Sequence, residues 1–437
     1  MTKPSILRQD WSQAGLERLS CDVAIIGAGP AGLAAARKLK QLGIAHVMVL
    51  ERENEPGGIP RHCNHYPYGW HEYHRLLKGP AFAQRNVAAA RQAGVDIRCQ
   101  HSVIQLGQGG LMLLATPAGS TTLKAKRVLI ASGIRETPRS ARLVSGSRPL
   151  GVINTGTLQS EVFLKQLKPF KRPLIVGSEL VTLSAIHTCL KAGIRPVAVV
   201  ASDSQPVAPW PLYHYPRLNG IPFHLNSVLT EIHGIERVEA ASVTLANGSL
   251  RKLACDGILF TGQFVPEASL VRQSHIELDP HTNGPTVDQY GRCSDPAYFA
   301  AGNVLRAVET AGWSWREGLQ TAGFMAADLA GTLPGGEHAI PIQLNSPLKY
   351  CVPQRLVPAQ FHEGHLQLRV SLRCKGDVQL TSGSQLLWHK QNVLKPEKRF
   401  LIPLSGLTVR HDQPLSIAIQ SAARPFSGKS RSAQGDQ

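Results

Sequence analysis

VAIIGAGPAGLAAARKLKQLGIAHVMVLE, residues 23–51, has a counterpart 150 positions on: PLIVGSELVTLSAIHTCLKAGIRPVAVVA, residues 173–201. Gly27 falls on Gly177, Gly43 on Gly193, Ile44 on Ile194 and Val49 on Val199, without a gap. Each copy is an apolar run, a glycine turn, a helix-patterned stretch, a glycine and a second apolar run. That is a β-α-β unit, because parallel strands need a crossover of this kind. Two copies predict two Rossmann-like domains in an α/β protein, not one long sheet.

In the first copy the strand runs from Cys21 to Ile26 and leads into Gly27-Ala28-Gly29-Pro30-Ala31-Gly32. Gly27 allows the tight turn, Gly29 lets backbone approach a pyrophosphate, and Gly32 lets helix sit close to strand. The N–H groups of the helix N-terminus then hold the anion. The second strand ends at Glu51, 24 residues after Gly27, where a carboxylate can accept both hydroxyls of an adenosine ribose. A glycine fingerprint alone is weak. With strand, helix and acid in place it predicts dinucleotide binding.

Further on, RVLIASG (127–133), CDGILFTG (255–262) and AYFAAGN (297–303) are buried-strand patterns ending in small residues, and an apolar-patterned helix follows at roughly 315–329. With GAGPAG and Glu51, the ASG, TG and AAGN endings resemble the FAD-dependent oxidoreductases with two dinucleotide-binding domains, best known as the pyridine nucleotide-disulfide reductases. The resemblance covers about residues 20–333. GGIPRHCNH (57–65), KGPAFAQR (78–85), GVINTGTLQ (151–159) and AGNVL (301–305) resemble a narrower branch, the FAD subunits of amine, opine and glycerol-3-phosphate dehydrogenases and of hydrogen cyanide synthase. The resemblance implies FAD along the first domain. It implies that Gly27, Ala28, Gly29, Pro30, Ala31 and Gly32 take the pyrophosphate, with Glu51 and Arg52 at the adenosine ribose. It further implies that Gly58 passes under the phosphates and that Val103 meets adenine through its backbone. Ala131, Ser132 and Gly133 line the site, and Gly302 and Asn303 approach the ribityl chain and pyrophosphate. Relatives mostly carry Asp at the position of Asn303; an amide there still donates and accepts.

The second fingerprint reads Gly177-Ser178-Glu179-Leu180-Val181-Thr182 and keeps only its first glycine. Glu179 stands where backbone should touch a pyrophosphate, and Ala201 stands where the ribose acceptor should be. Asp203, two residues late, is a weak substitute. Either the domain binds NAD(P)H in a changed way, or it keeps the fold and has given up the nicotinamide cofactor. In the second case electrons leave to oxygen, a quinone, an electron-carrier protein or a partner subunit.

Residues 62–74 read HCNHYPYGWHEYH and hold four of the 17 histidines. In the disulfide reductases this stretch carries a redox cysteine pair; here Cys63 stands alone. Three readings stay open. The segment packs as cover for the flavin; or it forms the substrate pocket, with His62 or His65 as base or anion contact and Cys63 near the ring; or His71 and His74, three apart on a helix face, bind a metal. No carboxylate-rich motif supports the third, and no metal is predicted. Removal of an amine or alcohol proton needs a base, which a histidine near its ordinary pKa can be. The catalytic candidates are therefore His62, Cys63 and His65, with Glu309 and Glu317 next in line. Trp313 and Trp315 are candidates to wall the flavin or to belong to the core.

The chain has 437 residues, 43% hydrophobic and 18% charged, which is globular rather than disordered. No apolar run is long enough for a spanning helix, and the N-terminus has no apolar signal region, so a cytoplasmic protein is expected. The eight cysteines are never closer than 23 positions, which excludes the usual zinc and iron–sulfur pairs and fits reduced thiols. Net charge is +17, and residues 340–437 alone hold 13 Lys/Arg against 5 Asp/Glu. This fits general solubility, an anionic substrate, an acidic partner or peripheral contact with an anionic membrane. No nucleic-acid-binding pattern occurs. After Gly336 the pattern changes to period two, at 365–374, 376–382, 384–390, 398–404 and 414–420, which predicts a small antiparallel β-domain.

The expected organisation is an N-terminal extension (1–20), an FAD-binding domain (21–145 and 257–335), a degenerate NAD(P)-binding-like domain inserted in it (146–256), a β-rich domain (340–423) and a disordered tail (424–437). The expected function is FAD-dependent dehydrogenation of a small amine, amino acid or hydroxy compound, with electrons passing to a non-nicotinamide acceptor. The alternatives are a flavin-containing electron-transfer or scaffold subunit, or an NAD(P)H-dependent flavoprotein reductase.

Overall fold

A computed structural model describes residues 18–396, 398–410 and 413–421, so the predicted tail lies outside the described residues. The chain divides into one unit ending at Pro334 and another beginning at Gly335.

The first unit opens with β1 (Arg18–Ile26), three residues earlier than expected, then α1 (Pro30–Gln41) and β2 (Val47–Leu50). β1 and β2 are parallel, with Ile25 beside Val49. Residues 23–26 of β1 and all of β2 are buried, as expected of a sheet covered by helices. Next come α2 (Gly79–Gln92), β3 (Asp96–Arg98), β4 (Ser102–Leu106), β5 (Leu111–Thr116) and the long β6 (Gly119–Ile130). The sheet order is β3-β2-β1-β6-β5-β4, and the start of β6 forms an antiparallel meander with β5 and β4. Val23, Ile25, Leu33, Leu39, Val49 and Leu129 make the core between sheet and α1.

The second domain contains β7 (Val152–Asn154), α3 (Thr155–Phe163), β8 (Pro173–Val176), α4 (Leu180–Lys191), β9 (Ala198–Val200), β10 (Phe223–His224) and β11 (Gly257–Phe260). Its parallel sheet runs β10-β9-β8-β11-β7. A three-stranded meander, Val228–His233, Ala240–Thr244 and Leu250–Ala254, precedes β11. The expected boundary at 257 is thus corrected: β11 pairs with β8 and β7 and completes the second sheet. The chain crosses between domains on two short antiparallel strands, Ile134–Glu136 and Phe264–Pro266. It then returns to the first sheet as β12 (Tyr298–Ala300), parallel to the end of β6, and closes with α5 (Ala311–Leu329). α5 starts earlier than the expected 315 because Thr310 caps it, accepting from the Trp313 N–H.

Among the described residues, the second unit has a five-stranded and a three-stranded sheet. Leu366, Leu368 and Ile402 of the smaller sheet share one core with Val378, Leu380, Leu415 and Ile417 of the larger. The alternating pattern at 365–374 is two strands, His365–Val370 and the start of Cys374–Ser382. The pairing is antiparallel except that Ile340–Leu344 runs parallel to Leu415–Ser421. The second unit also contains strands the alternation did not reveal, at Ile340–Leu344, Leu348–Val352 and Arg355–Leu356.

Candidate functional site

The first glycine turn leaves a cradle. A Cβ placed on Gly29 would meet nothing within 4 Å, although Gly29 is the N-cap of α1. No side chain caps that helix end, so its first N–H groups face the same open space. Gly57 donates its N–H to Ala28 O at 2.8 Å, which lays the next loop across the turn. Gly58 has φ +64°, and a Cβ there would stand 2.8 Å from Gly29 Cα, so only glycine fits. Glu51 is buried; its carboxylate accepts the N–H of Ala28 and of Glu53, each at 3.0 Å, and faces the turn. Arg52, next to it, is paired with Glu53 at the surface. His101 N–H binds Glu51 O, bringing the strand that carries Val103 past the end of β2. Ala131 N–H binds Ile26 O, and Ser132 Oγ donates to Glu267 O, which ties the end of β6 to the returning crossover. Gly133, the last of the ASG trio, has a positive φ of 79° and starts that crossover.

A second loop meets the cradle from β12. A Cβ on Gly302 would touch Ala31 at 2.9 Å, so Gly302 packs against the first turn of α1. Gly302 N–H donates to Glu317 Oε2 at 2.6 Å, and Arg306 binds both Glu317 oxygens at 2.8 Å and Gly302 O at 3.1 Å. Arg306 is fully buried, so this ion pair forms the floor of the loop. Glu317 is committed there and does not stand by as a base. The Asn303 amide accepts the Glu309 N–H at 2.7 Å and donates to Glu309 O at 3.0 Å, so it clamps its own loop. Ser314 Oγ, beside Gly302 in the first turn of α5, is buried with no protein partner. Open space over Gly29, bare helix N–H groups, a ribose-height carboxylate and this hydroxyl fit a dinucleotide such as FAD.

From Gly58 the chain makes a single turn, Ile59–His62, and presents His62 and Cys63 to the second domain. His62 Nδ1 and Cys63 Sγ both lie 3.4 Å from Gln159 Oε1 on α3, and Gln159 Nε2 donates to Ser184 Oγ on α4 at 2.8 Å. Burial holds the His62 pKa below 6.5, so the ring is neutral near pH 7. Burial pushes the Cys63 thiol up to about 11, so it is not a thiolate nucleophile. His65 turns away, its Nδ1 on Tyr66 O at 2.9 Å and its ring against Tyr68. Glu136, on the crossover, accepts the N–H groups of Gly156 and Gly262, and burial raises its pKa. Sequence reasoning missed Gln159, Ser184, Glu136 and Arg306. Gln159 ends GVINTGTLQ, so the signal for it was present but carried no role.

Of the aromatics in the segment, Tyr68 and Tyr73 pack in the core, while Tyr66 and Trp70 are exposed. Trp315 Nε1 donates to Asn86 Oδ1 at 3.0 Å, and Tyr68, Tyr73 and Trp315 surround Phe82 of α2. His71 and His74 do not share a helix face: the helix spans only Trp70–Tyr73, and His74 follows it in the left-handed region. Among the described residues no group of three or more His, Cys, Asp or Glu is arranged to hold a metal ion.

The second fingerprint is filled by the chain itself. The Glu179 carboxylate accepts the Gln263 N–H at 3.1 Å and lies so close to Gly262 that a Cβ there would fall 1.5 Å from its oxygen. Ser178 Oγ donates to Asp203 at 2.6 Å, and Ser178 O accepts the Ala208 N–H. Thr182 and Thr261 share a hydrogen bond of 2.7 Å where the first copy has its close-packed glycine.

Residues 21–318 match the pyridine nucleotide-disulphide oxidoreductase family, and the chain belongs to it. It is an FAD-dependent oxidoreductase with two Rossmann-type domains. An opine oxidase subunit from Agrobacterium tumefaciens is 25% identical over 71% of this chain; the chain spans 64% of that relative's length. Hydrogen cyanide synthase subunit HcnB of Pseudomonas aeruginosa is 27% identical over 72% of this chain and 68% of its own. The ferredoxin–NADP reductase of Ignicoccus hospitalis is 26% identical over 65% of this chain and 90% of its own. Among solved structures, T. acidophilum thioredoxin reductase superposes with a TM-score of 0.59 at 22% identity, over 71% of this chain and 99% of its own. No helix among the described residues is long and apolar enough to cross a membrane.

Proposed function

We propose that this chain oxidises a small amine, amino acid or hydroxy compound, with His62 as the base, and that its electrons leave to an acceptor other than a nicotinamide. One observation supports the reading: Glu179 stands where the first copy has Gly29, and its carboxylate is held at that turn by the Gln263 N–H beside Gly262. A negative charge fixed there repels a phosphate. FAD, when bound, supplies the two-electron acceptor for the substrate carbon. His62 is neutral and available to take the N–H or O–H proton, and Cys63 remains a thiol beside it. The names of two relatives describe subunits, and residues 340–437 are strongly basic, which together support an acidic partner subunit or carrier protein as acceptor.

A second reading, an NAD(P)H-dependent reductase, is favoured by the ferredoxin–NADP reductase relative. One experiment separates them: anaerobic titration of the yellow holoprotein with a panel of amines, amino acids and hydroxy acids, and separately with NADH and NADPH. Bleaching by a panel member and not by the nicotinamides supports the first reading. Stoichiometric bleaching within seconds by micromolar NADH or NADPH establishes the second. A spectrum that no compound changes, with tight binding to another protein, leaves an electron-transfer or scaffold subunit.

A further inference from the structure

We infer that Gln159, carried by the second domain, is a positioning residue that holds His62 in its Nδ1–H form and leaves Nε2 as the proton acceptor. The inference rests on the reading of His62 as the base. Gln159 is 3% exposed, and its Nε2 group is committed to Ser184 Oγ at 2.8 Å. That commitment turns Oε1 towards the first domain. A carbonyl oxygen has lone pairs and no hydrogen, so it can only accept. For His62 Nδ1 to hydrogen-bond to it, the ring hydrogen must sit on Nδ1. Cys63 donates its S–H to the same oxygen, so both groups that meet it can serve as donors.

A neutral imidazole has one ring hydrogen. Placed on Nδ1, it leaves the lone pair on Nε2. A proton leaving substrate nitrogen or oxygen then goes to Nε2, and the imidazolium formed keeps its Nδ1–H on Gln159. Ser184 and Gln159 lie on α4 and α3, both helices of the degenerate domain. The domain that has filled its own phosphate loop thus supplies the second support of the base. Orientation of a catalytic imidazole through its other nitrogen is a general requirement, and loss of the right tautomer costs much of the rate.

The test uses holoprotein labelled with nitrogen-15 histidine, with the His62 signals identified by their loss in His62→Gln. In the parent, His62 should show the hydrogen on Nδ1. Gln159→Leu should return the ring to a mixture of tautomers and lower kcat by roughly ten- to a thousandfold, with KM little changed. Gln159→Glu keeps an acceptor and adds a charge; it should retain the Nδ1–H form and move the acid limb of the pH profile up by about one unit or more. A parent His62 with its hydrogen on Nε2, or a Gln159→Leu protein with the parental tautomer and pH profile, overturns the inference. If no substrate bleaches the flavin, the proposed function fails, and the ring-nitrogen spectra still decide whether Gln159 sets the tautomer.

Discussion

No side chain caps the helix start in either β-α-β copy; in the first the space over Gly29 is open, whereas in the second Glu179 stands at the equivalent position and its carboxylate binds the Gln263 N–H. The strands match closely: β1 pairs with β2 as β8 pairs with β9, and each helix lies between them. The difference is therefore not in the fold but in three side chains, Glu179, Thr182 and Ala201, set on the same backbone plan. A Rossmann unit can exchange the residues of its glycine turn without losing its packing, because core positions and turn positions barely overlap. Leu174, Ile175, Val199 and Leu259 are as fully buried in the second copy as Val23, Ile25, Val49 and Leu129 are in the first.

The sharpest way to break the comparison is to make the first copy resemble the second. Gly29→Glu puts a carboxylate over the open cradle and should give a folded, colourless protein; retention of wild-type FAD occupancy in the absorbance spectrum sinks the placement. Next in size is His62→Gln, which should slow substrate reduction of the flavin by roughly 10²–10⁴-fold at unchanged FAD occupancy. Parental rates across pH 6–9 in stopped flow would move the base elsewhere.

Glu317→Leu addresses the loop that closes the first site. It removes the carboxylate that pairs with the fully buried Arg306 and the acceptor of Gly302 N–H. Loss of one member of such a pair costs about 3–5 kcal/mol, so thermal melting should fall together with FAD retention. Glu179→Gly works in the opposite direction, emptying the second cradle. Anaerobic reduction by NADH should rise by no more than about tenfold, since each 1.4 kcal/mol is a factor of ten and the ribose acceptor is still missing at Ala201. A rise of several orders of magnitude would mean that Glu179 alone holds the nicotinamide out.

The smallest effect concerns pH. The His62 pKa is lower in the folded protein than the ordinary 6.5, so the folded state binds fewer protons than the unfolded state near that value. Stability should therefore be fully present above about pH 7 and decline as pH falls through 6.5. His62→Gln should flatten that slope slightly in urea melts at pH 5.5 and 7.5.

The offset of 150, the glycine turns and Glu51 were legible in the sequence because the β-α-β unit needs each residue type at a fixed spacing along the chain. Lost glycines at Glu179 and Thr182 were legible for the same reason. The alternation after Gly336 located most of the C-terminal strands, since period two is a local property. Other features depend on residues far apart in sequence, and only the tertiary structure decided them. Gly257–Phe260 joins the second sheet because its partners are Pro173–Val176 and Val152–Asn154. Glu317 is spent on Arg306, and Trp315 on Asn86, 229 positions away. Gln159 meets His62 across 97 positions and two domains. Spacing along the chain specifies a turn and its glycines; which side chain faces which across a domain boundary is set by how the two packed domains come together, and that is written in no single segment.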